Sequence, residues 1–274
     1  MRLVIVGRGS FVARHVIFVA QSEGLETIAL PHDADVAAVV KTGDTVANFS
    51  IDSRYKSESY EEDLDCDLKV ARIAAAAGAK AVMFSTRKVY PDSARWNARE
   101  SDLCNGDNSH YGNNKARTEK LVGAIPGLSS AIFRLSNICG YEYSSQAPRR
   151  TFFGIMQHRL KTRNEILFDM HPSTRRDFLP VEFCARAVVL ALKSELTGVY
   201  NLGAGFPVSC GEIANWIMKG FGGGTLVVYP PVVHDEFFLN MEKWNASLGQ
   251  FPLSPDVFGS YCIDIGRKLK CAEF

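Results

Sequence analysis

A chain of 274 residues is long enough for one large domain, or for a domain with a smaller appendage. Its 46% hydrophobic and 22% charged residues are those of an ordinary globular protein. The formal charge is +1, no long basic run exists, and the pairs Arg149-Arg150 and Arg175-Arg176 stand isolated, so nucleic acid is excluded as an expected partner. The seven cysteines are odd in number and make no C-x-x-C, which points to reduced, mostly buried thiols in a cytoplasmic protein. The six histidines lack metal-binding spacing, and no metal is expected. "MRLVIVG" enters a strand directly, so no signal peptide is expected, and no apolar run of about 18 residues is present to span a membrane.

Along the chain, "RLVIVG" (2–7) is a β-branched run ending in Gly, the pattern of a strand buried on both faces. A helix with Val12, Val16, Val19 and Ala20 follows and ends near Gly24. "ETIALP" (26–31) predicts a second strand, "DADVAAVVK" a short helix, and "DTVANFS" (44–50) a third strand. The Ala-rich segment 61–78 predicts a helix capped by Gly78. A fourth strand is expected over 80–86, a helix over 110–124 and a fifth strand over 129–137. Strands alternating with helices in this way define βαβ units and a Rossmann-type, doubly wound parallel α/β sheet.

After residue 138 the alternation loosens. A polar loop (141–150) precedes a helix at about 151–162, a strand at 165–168, a long apolar helix within 175–195 and a core-like strand at 198–203. The remainder holds a helix (211–219), a strand at 225–230 and a Pro-punctuated tail. The expected division is a dinucleotide-binding domain over 1–138 plus about 179–203, and a smaller α+β substrate-binding lobe over 139–178 and 204–274.

The turn "VGRGSFVARHV" joins the first strand to the first helix. A pyrophosphate needs a tight turn, close backbone approach and a helix N-terminus with free N–H groups. Gly7 and Gly9 suit the first two needs, while Ser10 and Ala13 stand where further small residues are expected. At the end of the second strand, Pro31 and His32 replace the acidic residue usual for NAD, with Asp33 just beyond. Arg8 could face a ribose 2′-phosphate, so the cofactor leans to NADP, and Asp33 could reverse the choice. Tyr111 and Lys115, at i and i+4, share one face of a helix. That spacing alone does not separate a catalytic pair from an accident.

Their company does. "VGRGSFVA", "FSTRKVYPD" (84–92), "YGNNKARTEKLV" (111–122), "FRLSNICG" (133–140), "RRDFLPVEF" (175–183) and "GVYNLGAG" (198–205) follow in this order. The set resembles the extended short-chain dehydrogenase/reductase family, the NAD(P)-dependent sugar-nucleotide epimerases, dehydratases and reductases. The resemblance implies Thr86, Tyr111 and Lys115 as the catalytic set, Asn137 near bound substrate and Arg176 on a nucleotide diphosphate. It implies cofactor contacts from Gly7, Arg8, Gly9, Ser10, Phe11, Val12, His32, Phe49, Ser50, Tyr111 and Lys115. A free phenol with pKa about 10 is a poor base at neutral pH, and an ammonium one turn away favours the phenolate. Thr86 can hydrogen-bond the developing oxyanion.

Two departures narrow the reading. Dehydratases of this family usually carry Asp-Glu after the Thr, whereas Arg87 and Lys88 stand here, which argues against 4,6-dehydration. Lys88 sits where some relatives place a second acid–base group; it either serves so, contacting substrate, or forms with Arg87 a pair facing solvent or substrate phosphates. The short connection between the second strand and "DTVANFS" indicates a trimmed helix–strand element. The expected function is 4-keto reduction or epimerisation of a nucleoside-diphosphate sugar. The alternatives are reduction of a non-sugar carbonyl and a non-catalytic NAD(P)-binding protein. The resemblance also implies a homodimer built through helices 61–78 and 110–124.

Overall fold

The computed structural model describes residues 1–145, 149–232 and 234–272. The chain runs through β1 (Arg2–Val6), α1 (Phe11–Ser22), β2 (Glu26–Leu30), β3 (Thr45–Asn48), α2 (Ser53–Ser57), α3 (Cys66–Ala77) and β4 (Lys80–Thr86). Next come β5 (Trp96–Ala98), α4 (His110–Gly123), β6 (Ser130–Leu135), β7 (Asn137–Cys139), α5 (Phe152–Arg163) and β8 (Glu165–Met170). Then follow β9 (Arg175–Arg176), β10 (Phe178–Pro180), α6 (Val181–Lys193), β11 (Gly198–Leu202) and β12 (Val208–Ser209). The last elements are α7 (Cys210–Phe221), β13 (Thr225–Val232), β14 (Phe238–Leu239), α8 (Glu242–Leu248) and α9 (Pro255–Cys271).

Six strands form one parallel sheet in the order β2-β1-β3-β4-β6-β11. Alternation along each strand divides the core. Leu3, Ile5, Val82, Phe84, Ala131 and Phe133 face one side, with Val16 of α1 and Val188 of α6. Val4, Val6, Ala81, Met83 and Ile132 face the other, with Leu68 and Ala74 of α3. The first cluster continues without a break into Phe153, Leu160, Phe168, Ile217, Phe258 and Leu269, so the C-terminal helices share the sheet's core. There β8 and β13 pair in parallel. Among the described residues, no helix is long and apolar enough to cross a membrane.

The strands and long helices lie close to where the sequence places them, and Gly78 closes α3 with φ 68°. The expected helix at 33–41 is absent. Val39 and Val40 each donate to the carbonyl of Val36, a single turn that buries Val36 and Val40 and goes no further. Nine residues with two Asp near the start do not sustain the costly nucleus of a helix. The segment is only a link from β2 to β3, so β2 becomes a sheet edge, as the trimmed connection implies. The tail, in contrast, holds α8 and α9, which the sequence pattern does not reveal. Pro255 occupies the first turn of α9, where its lost N–H costs nothing, and the Ser254 hydroxyl accepts from the Val257 N–H. Of the polar loop 141–150, residues 146–148 lie outside the described residues.

Candidate active site

A cleft of about 140 Å³ opens at the carboxyl ends of the central strands. Its walls include Ser10 and Val12 from the first turn, Phe49 and Ser50 after β3, Ser85 at the end of β4, and Tyr111 with Lys115 from α4. The fold thus brings Tyr111 and Lys115 to the same cleft as the glycine turn.

The turn is built for close approach. Gly7 has φ +83°, and a Cβ there would lie 2.8 Å from the Ser50 backbone N. Ser10 precedes α1 without capping it through its side chain, and no acidic residue occupies the first turn. The opening N–H groups are therefore left for an anion. Ser50 Oγ is buried and has no hydrogen-bond partner. A buried hydroxyl left unpaired is unfavourable unless a bound group completes it. The Gly7 cradle and this orphaned hydroxyl fit a dinucleotide phosphate and ribose.

Helix α4 is set by its own cap: the Ser109 hydroxyl accepts from Gly112 N at 3.1 Å. Its first turn packs against residues 87–89, and a Cβ on Gly112 would lie 2.3 Å from the Lys88 carbonyl oxygen. Lys115 is 3% exposed. Its Nζ donates to Asp67 Oδ2 at 2.5 Å and to the Phe84 carbonyl at 2.9 Å, and lies 6.0 Å from the Tyr111 ring centre. Burial opposes the ammonium, but Asp67, then Tyr111 and Tyr55, outweigh it and hold Lys115 above the ordinary lysine range. Thr86 is buried beside Ser85, its Oγ1 accepting from Lys88 N at 3.3 Å.

Other expected residues lie apart from this lining. Arg8 is exposed on the turn, and a Cβ at Gly9 would meet nothing within 4 Å. Phe11 turns toward Gly140 and Arg149, whose guanidinium stands 4.3 Å from the ring centre. His32 is exposed beyond β2, and Asn137 pairs with Phe178 between β7 and β10. Lys88 pairs with Asp107 at 3.2 Å. Burial pushes the Asp107 carboxyl up, but the Ser109 hydroxyl and Lys88 hold it below its usual value.

Arg176 belongs to a second cluster. Its guanidinium donates to Asp235 Oδ1 at 2.9 Å and to the Asp235 carbonyl at 2.9 Å. Arg87 pairs with the other Asp235 oxygen and stacks 3.9 Å from the Phe237 ring centre, while Arg95 reaches Asp235 at 3.5 Å. Arg87 is therefore neither a free surface cation nor one partner of a solvent-facing Arg–Lys pair. Three guanidinium groups converge on one carboxylate immediately beyond Thr86. Sequence reasoning missed Asp235, Asp67 and Asn48, none of which stands in a motif that spacing could mark.

A parallel sheet with a glycine turn on its first strand, and a Tyr–Lys helix at its carboxyl edge, defines a dinucleotide-dependent enzyme fold. The model of the NAD dependent epimerase/dehydratase family matches residues 4–203, and the chain belongs to that family. Solved structures carry the same fold across nearly the whole chain. A UDP-N-acetylglucosamine 4-epimerase from Methanobrevibacter ruminantium, in complex with UDP-N-acetylmuramic acid, shares 17% identity, with 97% of each chain covered and a TM-score of 0.81. A Thermus thermophilus UDP-glucose 4-epimerase complexed with NAD shares 21% identity, with coverage of 97% and 99% and a TM-score of 0.73. An NAD-dependent NDP-hexosamine 5,6-dehydratase of tunicamycin biosynthesis shares 17% identity, with coverage of 97% and 98% and a TM-score of 0.76. The family is NAD-dependent, which does not support the lean toward NADP drawn from Arg8.

Proposed function

We propose that this protein uses NAD to epimerise a nucleoside-diphosphate sugar at a carbinol carbon, or NADH to reduce one at a keto carbon. The observation that carries the reading is the meeting of Tyr111, Lys115, Ser10 and Ser50 in one cleft. Bound NAD supplies the hydride acceptor and donor. Tyr111 takes the hydroxyl proton as the carbonyl forms and returns it on reduction. Thr86 donates to the reacting oxygen, and the Lys115 ammonium favours negative charge on the Tyr111 oxygen. Ser50 Oγ and the N-terminal N–H groups of α1 bind the cofactor's polar middle. Arg176, with Arg87 and Arg95 beside it, draws the substrate diphosphate to the far side of Thr86. Lys88, held by Asp107, stays at the substrate rim as a second acid–base candidate.

The domain division at residues 138, 179 and 203 is part of the same reading. The homodimer is harder to support at the implied helices, because outward positions of α3 and α4 include Lys69, Arg72, Arg117 and Lys120. Tyr111→Phe tests the mechanism. Turnover of a UDP- or dTDP-sugar should fall by about 100- to 10,000-fold, with NAD binding by fluorescence titration unchanged. A fully active Tyr111→Phe protein would sink it.

A further inference from the structure

One acidic side chain in the cleft wall has no part in the chemistry above; burial raises its carboxyl, and Lys115 and Asn48 oppose that shift. Asp67, in the first turn of α3, is 6% exposed and lines the cleft. Its two oxygens have different partners. Oδ2 accepts from Lys115 Nζ at 2.5 Å, and Oδ1 accepts from Asn48 Nδ2 at 2.7 Å. Asn48 is itself fixed, since Nδ2 also donates to the Ser50 carbonyl at 3.1 Å and Oδ1 accepts from Ser50 N at 3.0 Å. The carboxylate is thereby tied to the same 48–50 segment that walls the cleft.

The ammonium has three donors. Asp67 and the Phe84 carbonyl take two, and the third is left for a group in the cleft. The groups facing Lys115 come from three helices. Asp67 projects from α3, and the Tyr55 ring of α2 is centred 5.8 Å from Nζ, with Tyr111 of α4 at 6.0 Å. Asp65, the neighbouring acid, is committed to Tyr60, Thr118 and the Leu68 N–H. Asp67 is thus the carboxylate in contact with Nζ. A lysine so deeply buried without such a partner favours the neutral amine.

We propose that Asp67 is the positioning residue of this site: it fixes the Lys115 ammonium at the cleft wall and keeps it charged before any ligand binds. The inference deepens the proposed function, which supplies the meaning of Lys115. Its test needs neither turnover nor substrate. A merely structural link between α3 and α4 would affect folding without governing the charge on Lys115.

The full chain, labelled with carbon-13 at the lysine ε carbons, is titrated by NMR. The Lys115 resonance is assigned by its loss in Lys115→Arg. In the wild type Lys115 should titrate above the bulk of the other lysines. In Asp67→Asn its midpoint should fall by about 1–3 pH units, and NAD affinity, read by protein fluorescence, should become pH-dependent across the new midpoint. A folded Asp67→Asn protein with an unmoved Lys115 midpoint overturns the proposal. If Asp67→Asn does not fold, the wild type decides alone: titration at or below the ordinary lysine value overturns it, and titration above that value upholds it. An active Tyr111→Phe enzyme would remove the proposed reaction and leave this titration untouched.

Discussion

Ser50 carries the sharpest expectation at the residue scale. Its buried hydroxyl has no partner, so its removal takes nothing from the folded protein and relieves an unfavourable burial. Ser50→Ala should leave Tm unchanged or raised, and weaken NAD binding by about 2- to 10-fold, one ordinary hydrogen bond's worth. Calorimetric unfolding and fluorescence titration check the pair of effects; a lowered Tm with unchanged NAD affinity contradicts the assignment. Ser50 is legible only through the family resemblance, and Tyr111 and Lys115 through their neighbours in sequence order. Asp67 is not legible at all. In "DLDCDLKV" an acid beside a lysine reads as a solvated helix face, and only the position of α4 turns it inward. Asp235 is hidden for the same reason: its three arginines come from positions 87, 95 and 176.

Among the elements, the central strands of the sheet are legible because burial on both faces leaves mostly apolar runs. The expected helix at 33–41 fails because a segment of nine residues with a few apolar positions fits a turn as well as a helix. α9 escapes notice because the prolines near it read as punctuation, although one of them starts it. The packing of α9 on α7 depends on two glycines. A Cβ at Gly220 would lie 1.9 Å from the Ile263 carbonyl oxygen, and one at Gly266 would lie 2.1 Å from that of Ile217. The obstacles are backbone atoms, so the helices themselves must separate. Gly266→Ala should cost about 1–3 kcal/mol, seen as a lower urea midpoint; Ala in the exposed Gly123 position of α4, where nothing lies within 4 Å, serves as the control.

Over the whole molecule, Asp177, between β9 and β10, joins the chain after β11 to β14. Its Oδ1 accepts from Ala204 N at 2.8 Å, after β11, and its Oδ2 from Leu239 N at 3.2 Å in β14. Burial raises its carboxyl to about 6, despite these backbone donors. Below pH about 4 the group is protonated in both the folded and unfolded chain, and its contribution is fully present. As pH rises toward 6 the unfolded chain ionises first, and on the order of 3 kcal/mol is lost. The Tm advantage of the wild type over Asp177→Asn should therefore be larger at pH 4 than at pH 7. An advantage that does not vary with pH would refute this.

The short connection after β2 has a consequence for the chain's behaviour before it is fully folded. At the opposite edge of the sheet, β11 is covered: Lys243 Nζ donates to the Val199 carbonyl at 2.7 Å and Asn201 N to Glu100 at 2.7 Å. At β2 the sheet ends, and a row of backbone donors and acceptors stands open to a second chain. Five residues and the charge of Glu26 keep that edge short and poorly adhesive once the sheet is complete. During refolding at high concentration, strand-to-strand aggregation has its natural starting point there.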